Sequence, residues 1–475
     1  MPADDADLQP GDDERKVLEE WIKAGAPFPK ATGRKPLDDR IVLTRVRDHL
    51  MRTRAADRPF QRYITLDHLH NNLSISDDQL QIHRAAVSKL LNSLSREREI
   101  TRPEAIDVGS EVILHFDLRA YGWEPDEWVE AEKAYPYGVL HVQDGELLEI
   151  EKDIARLAAT RLAYLRGDWF VATVSRLPLY DRLLRLPESL KDLEKTLGVD
   201  LPRNFEQARL KRGGLITSGV SRHNRLVERH PTPFGAYWRS YDFKQSAGRG
   251  NLLEFPLGPR FPGNRFDDQA FEQAGGEVIF NLPNGLQGYM LVNAKDKRLD
   301  TPAPVAIVSD RSETSGTPEI VNGLSCMACH ASGMKPFHDE IRHFPAVFAE
   351  IREQVERLHP PANEMDRLLA QDEDLFLRKL DEAIRPFLRS GELAKADIRE
   401  LVRRVNEPIG AVARRYAGDL NAESVAAELE LGGVDSLQGA IRGNPKLQEL
   451  GLGPLLDNHA LKRELWDAAG LSLFH

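Results

Sequence analysis

The stretch GGEVIFNLPNGLQGYMLVN, residues 275–293, contains two runs in which apolar and polar side chains alternate, as in a half-buried β-strand. A Pro-Asn-Gly tripeptide that begins at Pro283 separates the two runs and favours a tight turn. The stretch therefore predicts an antiparallel hairpin. EVILHFDLRAYGW, from Glu111, shows the same alternation and predicts another strand, and PVAIVSD, from Pro304, predicts a further one. The central part of the chain should contain antiparallel sheet.

Helical patterns accompany these strands. SDDQLQIHRAAVSKLLNSL, from Ser76, opens with a capping box because Gln79 follows Ser76 by three residues. The apolar residues after this box recur at spacings of three and four, which predicts a helix with one buried face. PFGAYWRSYDF, from Pro233, is rich in aromatic residues. It predicts either an irregular segment shaped for function or an ordinary loop whose rings cover a core.

The chain after residue 320 has a different pattern. Four segments there carry apolar residues at helical spacing: FPAVFAEIREQVERL, LLAQDEDLFLRKLDEAI, EPIGAVARRYAGDL and SVAAELEL. The chain therefore divides into a helical element at 1–30, a mixed central region at 31–320 and an all-helical region at 321–475. The predicted fold class is α+β, with antiparallel strands in the centre and helices after them.

Composition narrows the classes of function. The 475 residues include 41% hydrophobic side chains, which is enough for ordinary cores. A net charge of −11 gives no general attraction to nucleic acid or to anionic lipid. No apolar run reaches the length of about 18 residues that predicts a membrane span. The N-terminal MPADDADLQPGDDERK is acidic and lacks the apolar core of a secretory signal.

Every cysteine of the chain lies in SCMACH, residues 325–330. Two residues separate Cys326 from Cys329, and His330 follows at once, which is the spacing of a c-type haem attachment site. In such a site the two thiols add to the two vinyl groups of the porphyrin, and the histidine lies beneath the iron as an axial ligand. The motif predicts one covalently bound haem c, held by Cys326, Cys329 and His330.

Other interpretations of this motif stay open. The same three residues with one further histidine would form an uncommon zinc site, since the chain has no second cysteine pair for the usual four ligands. A thioredoxin-like redox dithiol would follow a strand, whereas the preceding SETSGTPEIVNG is rich in turn residues. A chance match of a short pattern is the remaining interpretation.

The ligand on the opposite side of the iron decides function. A strong ligand there favours electron transfer, and an open position permits chemistry on small molecules. The distal candidates are Met290, His230 and His223. Spacing does not specify any of them, and each has the alternative of an ordinary buried methionine or hydrogen-bonded histidine.

The residues just after the motif carry further methionine and histidine side chains. Met334, four residues after His330, is predicted to pack on the His330 side of a helix, where it would not reach the distal position. His338 and His343 are predicted to face solvent from the same helix or to support the iron ligand.

A basic segment, RLKRGGLITSGVSRHNRLVERH at 209–230, stands out in an acidic protein. Arginine forks bind carboxylates in a bidentate manner, and haem propionates are carboxylates. Arg222 and Arg225 are the candidates to hold the propionate edge of a haem or an anionic substrate. The alternative is a solvated surface on which these arginines pair with nearby acidic residues.

Met1-Pro2 and WIKAGAP, from Trp21, resemble the tail of the planctomycete-type cytochrome c domain. In that domain a Met-Pro pair supplies the distal ligand, and a Trp-Ile-x-x-Gly-Ala helix closes the fold. Later motifs resemble the uncharacterised region, with its own CxxCH, that follows the domain in large bacterial proteins: RYITLDHLHN, GDWFVATVSRLPLYDRLL, SGVSRHNRLVERH, GAYWRSYDF, GGEVIFNLPNGLQGYML and NGLSCMACHASGM. The resemblance spans nearly the whole chain and implies haem c attachment, not a particular reaction.

The chain departs from the family pattern at its start. The CxxCH of the N-terminal cytochrome domain would lie upstream of Met1 and is absent. The resemblance therefore implies that residues 1–30 are the last helix of a truncated cytochrome domain and that the chain starts inside a longer protein. It also implies a periplasmic location, because haem c is attached outside the bacterial cytoplasm.

These patterns favour a mono-haem c-type cytochrome-like protein that exchanges electrons with a redox partner protein or an upstream haem domain. The alternative is a haem c-dependent enzyme of peroxidase or oxidase type. The central region is far larger than a one-haem carrier needs, and it would hold a small-molecule substrate over an open iron. A binding or scaffold protein whose CxxCH stays empty is the third hypothesis. Whether the protein is an enzyme stays open.

Overall fold

The computed structural model describes residues 34–474 except 73, 139–143, 221, 306–307, 310–317, 345–348, 392, 406, 430 and 432. Within these ranges the predicted α+β class is confirmed. Antiparallel sheet lies in the central region, and helices make up the C-terminal part. The helix predicted at 1–30 lies outside the described residues.

The strands of the described residues form two sheets. They are β1 (Gln61–Thr65), β2 (Glu104–Ala105), β3 (Ile113–Asp117), β4 (Tyr164–Arg166), β5 (Lys211–Leu215), β6 (Arg225–Thr232), β7 (Gly235–Asp242), β8 (Gly275–Asn281) and β9 (Gln287–Asn293). The first sheet has the order β2-β3-β1-β4, with β1 antiparallel to β3 and parallel to β4. The second sheet is an antiparallel meander in the order β5-β6-β7-β8-β9.

Helices cover the first sheet and fill the C-terminal part. Those before β5 are α1 (Asp39–Arg52), α2 (Asp67–Asn71), α3 (Asp77–Ser93), α4 (Pro125–Ala134), α5 (Gly145–Ala158), α6 (Gly167–Val174), α7 (Leu179–Leu183), α8 (Leu190–Leu197) and α9 (Leu201–Glu206). Those after β9 are α10 (Leu324–Cys329), α11 (Ala349–Leu358), α12 (Ala362–Ile384), α13 (Ile398–Val405), α14 (Pro408–Tyr416), α15 (Ala422–Glu428), α16 (Val434–Gly443), α17 (Pro445–Leu447) and α18 (Arg463–Phe474). Within the described ranges, no helix combines the length and the apolar composition that crossing a bilayer requires.

The predicted hairpin at 275–293 is confirmed as β8 and β9. Asn281 pairs with Gln287 at its closed end, and Gly285 in the turn has φ +87°, a conformation that glycine adopts without steric cost. The strand predicted from Glu111 is confirmed as β3. It is short, because the chain enters a 3₁₀ turn at Leu118–Tyr121.

Helix α3 confirms the predicted capping box. The Gln79 backbone N–H donates to Ser76 Oγ at 3.2 Å, and the Ser76 N–H donates to Gln79 Oε1 at 2.8 Å. These two bonds satisfy backbone groups that a helix N-terminus leaves without partners. The buried face of α3 packs against α12 and α14, so this helix joins the central region to the C-terminal helices.

One prediction for the central region is wrong. The aromatic segment at 233–243 is neither irregular nor a loop, because most of it forms β7 in the middle of the second sheet. All residues from Ala236 to Asp242 are buried, so the strand lacks the alternation by which a half-buried strand is recognised. The strand predicted from Pro304 lies partly outside the described residues; next to that gap, the Val308 N–H donates to the Pro304 carbonyl at 3.2 Å.

The four helices predicted after residue 320 are confirmed as α11, α12, α14 and α15. The largest hydrophobic core contains residues from both sides of the predicted boundary at 320, among them Leu90 of α3, Val278 of β8 and Leu380 of α12. A separate cluster runs from Leu420 to Ala469 in the last helices. The predicted boundaries at 30 and 320 stay predictions.

Candidate functional site

The SCMACH motif lies on α10 and directly after it. Cys326 and Cys329 stand almost one turn apart on the same side of this short helix, and His330 follows at its C-terminal end. Cys326 is only 1% exposed, Cys329 is partly exposed, and no disulfide joins them. Helix α10 packs against α14, where a Cβ added at Gly410 would lie 3.3 Å from the Cβ of Ala328.

A glycine sets the start of α10. Gly323 has φ +83° and ψ −82°, a conformation that residues with a side chain rarely adopt. A Cβ at this position would lie 2.4 Å from the Ser175 carbonyl oxygen and 2.7 Å from the Tyr180 ring. Only glycine therefore lets α10 begin this close to the end of α6 and to α7.

We expect Gly323→Ala to lower the free energy of unfolding by roughly 2 kcal/mol or more. A strained backbone conformation costs about 1–3 kcal/mol, and the clash with the Ser175 carbonyl adds to that cost. Urea unfolding at constant temperature measures the change. Gly439→Ala is the matched control, because a Cβ there meets nothing within 4 Å in the middle of α16. Equal stabilities of the two variants would contradict the close approach at Gly323.

A hydrogen bond to the turn that follows His330 orients its imidazole. His330 Nδ1 donates to the Gly333 carbonyl oxygen at 3.1 Å. In the neutral imidazole this arrangement leaves Nε2 as the nitrogen with a lone pair, and a backbone carbonyl that accepts from the other nitrogen is usual for metal-binding histidines. Nε2 lies 3.8 Å from Glu277 Oε2, and the Tyr289 ring centroid lies 6.2 Å from that of the imidazole.

The helix predicted to continue past the motif is wrong for residues 331–344, which form turns and bends. Gly333 has φ +97°, and this turn brings its carbonyl back to His330. Met334 therefore does not stack on a helix beneath His330; it lines a cavity together with that residue. His338 and His343 are exposed, in agreement with the predicted solvent-facing position.

That cavity has a volume of about 570 Å³ and lies between the motif and one face of the second sheet. Cys326, Cys329 and His330 all line it. Residues from all five strands of the sheet form its floor, and much of its lining is apolar, including Val220, Val227, Leu291, Leu299, Ile320 and Phe337. Its volume lies within the range of about 300–1,000 Å³ that is usual for cofactor and small-molecule sites.

Glu277, on β8, is the carboxylate beside the motif. Burial alone would raise its pKa, but the hydrogen bond and charge of His330 and the charge of Arg225 lower the pKa to about 2. Burial raises the pKa of the Cys326 thiol well above its usual value, and Glu277 adds to this effect. Reactive redox dithiols have a lowered pKa. The surroundings of Cys326 therefore disfavour the redox dithiol.

Arg225 lies in the cavity wall, but it already has a carboxylate partner. Its Nε and Nη2 donate to the two carboxylate oxygens of Asp242 at 2.6 and 3.0 Å. Burial opposes the charged form of Arg225, yet the charge and hydrogen bonds of Asp242 outweigh burial and raise the pKa. Arg225 therefore contributes to the cavity as half of an ion pair rather than as an open anion fork.

Arg222 is not brought to the cavity. It is exposed on the turn between β5 and β6, with φ +60°, and its backbone N–H donates to the Ser218 carbonyl at 2.9 Å. His223, next to it, does not line the cavity either. Of the two arginines predicted to hold haem propionates or an anionic substrate, the structure brings Arg225 to the cavity and not Arg222.

Met290 and His230 lie on the other face of the second sheet. Met290 pairs with Val278, one residue beyond Glu277, so its side chain points away from the motif. His230 is fully buried, and both of its ring nitrogens have partners: Glu228 Oε1 at 2.6 Å and Asn204 Nδ2 at 3.0 Å. These placements contradict the prediction that either residue is the distal iron ligand.

Several residues of the site escaped sequence reasoning. Asp242 and Lys335 line the cavity, as does Glu277, and the sequence patterns did not mark any of them as a site residue. The hairpin register was the one available signal for Glu277, since alternate residues of β8 must share a face. Among the described residues, no group of three or more His, Cys, Asp or Glu side chains converges as a metal site. The zinc interpretation therefore gains no further protein ligand there.

Comparisons with known proteins add no assignment. No protein-family model matches the chain, and neither a curated protein nor a solved structure matches it. Any function must therefore be argued from the site itself.

Proposed function

We propose that the protein binds one haem c covalently through Cys326, Cys329 and His330 and that it transfers electrons. One observation carries this proposal: both thiols and the imidazole of the motif line a single, largely apolar cavity of about 570 Å³. Apolar walls suit a porphyrin, and the two thiols and the imidazole are the donor set that covalent haem attachment requires. The residues present therefore fit the group.

Each residue would have a distinct task. The thiols of Cys326 and Cys329 would hold the porphyrin edge, and His330 Nε2 would be the axial ligand. The Gly333 carbonyl, 3.1 Å from His330 Nδ1, keeps the imidazole in the orientation that leaves Nε2 available. Once bound, the iron supplies a one-electron couple, and the buried wall of Val227 and Leu291 limits the access of water.

The partners and location follow from the same proposal. The electron partner would be a redox protein or an upstream haem domain, and the location would be the periplasm, where haem c is attached. The resemblance to planctomycete-type proteins supports both points, while the acidic surface, with a net charge of −11, disfavours nucleic acid as a partner.

Covalent attachment is tested by exporting the full chain in cells that contain haem-attachment machinery. We expect the intact mass to increase by one haem and the haem absorption to survive acid-acetone extraction. Cys326→Ala combined with Cys329→Ala should lose both signals, because no thioether bond can then form. His338→Ala, which changes an exposed histidine close to the motif, is the control and should keep both.

An unmodified mass for the unmutated chain under these conditions would overturn the haem proposal. The binding or scaffold hypothesis, in which the motif stays empty, would then take its place.

We expect Arg225→Gln to lower the midpoint potential of the haem by tens of millivolts. The substitution removes a positive charge from the cavity wall and leaves Asp242 without its partner, so the oxidised iron becomes easier to form. An interaction of roughly 1 kcal/mol corresponds to about 40 mV for one electron. Arg222→Gln is the matched control and should leave the potential unchanged, because Arg222 lies outside the cavity. Equal potentials in both variants would contradict this role of the ion pair.

A haem c-dependent enzyme is the second candidate, and one observation favours it. Met290 and His230, predicted as strong distal ligands, face away from the motif, so neither would fill the sixth position of an iron in the cavity. Carbon monoxide distinguishes the two functions: slow binding to the reduced protein supports a carrier with a ligated iron. Rapid binding would put the enzyme first, and peroxide turnover with an electron donor would then be assayed.

A further inference from the structure

A second cavity, of about 160 Å³, lies between α2, α3, α6, α14 and α15. His68 on α2 and His83 on α3 both line it, and they are only 4% and 3% exposed. Neither residue lines the cavity beside Cys326, and neither has a role in the function proposed above. Their surroundings nevertheless have the features of a binding site.

Hydrogen bonds determine which ring nitrogen of each histidine carries the proton. His68 Nε2 donates to Asp168 Oδ1 at 2.9 Å, and His83 Nδ1 donates to the Gln79 carbonyl oxygen at 2.7 Å. Both partners only accept hydrogen bonds, so the protons must be on these nitrogens. When both imidazoles are neutral, His68 Nδ1 and His83 Nε2 keep their lone pairs, and both are buried without a partner among the described residues.

Buried polar atoms without partners need an explanation, because leaving them unpaired costs free energy. Burial lowers the pKa of His83, which keeps this imidazole neutral and able to act as a ligand. Asp168 and His68 also affect the pKa of His83, in opposite directions, as expected for groups that lie close together. Both histidines thus line one small cavity, and each has one ring nitrogen without a partner among the described residues.

The charges around this space are balanced. The ionisable side chains that line it, apart from the histidines, are Asp168, Arg415, Asp419, Glu428 and Arg463. Lys462 pairs with Asp419 at 2.7 and 3.1 Å, so three carboxylates stand against two guanidinium groups and one ammonium group. Arg463 does not oppose a cation fully, because it pairs in a bidentate manner with Glu428 at 2.8 and 2.9 Å.

We propose that His68 Nδ1 and His83 Nε2 bind one divalent transition-metal ion, with water or a small anion in the remaining positions. Neutral imidazole suits zinc, copper and nickel, and copper(II) is expected to bind most tightly. Asp168 and the Gln79 carbonyl accept hydrogen bonds from the other ring nitrogens of His68 and His83, as carboxylates and carbonyls commonly do at metal-binding histidines. A cavity of about 160 Å³ also has room for water beside the ion, since a water molecule occupies about 30 Å³ in the liquid.

The first test is a titration of copper(II) into the full chain carrying Cys326→Ser and Cys329→Ser, which remove the competing thiols. We expect one tightly bound copper per chain, with an electron paramagnetic resonance spectrum that shows coupling to two imidazole nitrogens. This measurement needs no change in the new site. It therefore stays decisive even if a histidine variant fails to fold.

The second test uses variants in the same background. His68→Gln and His83→Gln should each weaken copper binding by about 100-fold or more and remove one nitrogen coupling. Asp168→Asn should weaken copper binding by about 10-fold, as is usual for residues that hydrogen-bond to a metal ligand. His338→Gln changes an exposed histidine and should have no effect.

Two results would overturn the proposal. One is a parent protein that binds no copper with two-nitrogen coupling, in which case a bridging water satisfies the two histidines. The other is a two-nitrogen spectrum that persists in both His68→Gln and His83→Gln, which would place the copper elsewhere. Neither result bears on haem attachment, which is measured by mass on a different motif.

Discussion

Glu407→Ala should lower the free energy of unfolding by about 3–5 kcal/mol, the usual cost of breaking a buried ion pair. Lys89 Nζ on α3 donates to Glu407 Oε1 at 2.5 Å, and both side chains are only 2% exposed. Without Glu407, the ammonium group of Lys89 would stay buried with no compensating charge. Urea unfolding, followed by tryptophan fluorescence and by circular dichroism, measures the loss.

Glu407 also caps a helix. Its carboxylate oxygens accept hydrogen bonds from the backbone N–H groups of Ile409 and Gly410, at 3.0 and 2.6 Å, so it holds the first turn of α14. Loss of a cap typically costs about 1 kcal/mol. Glu407→Gln retains an acceptor oxygen for the cap and should therefore destabilise less than Glu407→Ala. Since α14 packs against α10, the larger loss should also disturb the CxxCH helix.

Glu382→Ala is the matched control for this prediction. Glu382 accepts from Lys379 at 2.8 Å on the surface of α12, where the two side chains are 50% and 29% exposed. Exposed pairs contribute little because water and salt screen them. Should Glu407→Ala be no worse than Glu382→Ala, the Lys89–Glu407 pair would not be the buried contact described above.

Arg212→Met should cause a loss of similar size, about 3–5 kcal/mol, on the far face of the second sheet. Arg212 and Glu228 are both fully buried, and Arg212 Nε donates to Glu228 Oε2 at 2.6 Å. The other oxygen of Glu228 accepts from His230 at 2.6 Å and from Tyr241 at 3.1 Å. This network holds the pKa of Glu228 well below its usual range, with burial opposing and the charges of Arg212 and His230 prevailing.

Arg212→Met should lower stability because the charge of the Glu228 carboxylate remains buried. Methionine fills much of the volume of arginine beside the Phe205 ring, but it leaves the Glu228 carboxylate without its strongest partner. Arg260→Met, in a pair with Asp267 whose side chains are 47% and 43% exposed, is the control and should change stability little. Urea unfolding of both variants checks the prediction, and equal losses would contradict it.

Sequence reasoning recovered local features of the fold with good accuracy. The hairpin at 275–293 and the capping box at Ser76 both depend on residues close together in the chain, and both are confirmed. Strand β7 was missed because its aromatic and polar residues are buried on both faces, which removes the alternation that a strand prediction requires. The turn after His330 was missed because α10 already ends at Cys329, and a turn with Gly333 at φ +97° follows.

The residues of the candidate site also differ in whether local sequence spacing could identify them. Cys326, Cys329 and His330 were recognisable as a candidate site because covalent haem attachment would demand three residue types at one short spacing, and α10 places all three at one cavity. Arg225 lines that cavity, but its partner Asp242 lies 17 residues away and becomes its neighbour only through strand pairing. Glu277 and His68 lie in segments that carry the family resemblance, but no spacing or chemical pattern marked them or His83 as site residues.

By itself, the sequence of this protein determined the class of its fold, the hairpin, the capped helix and the spacing of the CxxCH motif. These features depend on interactions within a few residues, so spacing is sufficient to specify them. Only the tertiary structure decided that Met290 and His230 face away from the motif, that Glu277 stands beside His330 and that His68 and His83 share a cavity. A shift of one residue moves a strand side chain to the opposite face, and spacing along the chain does not specify which distant segments meet.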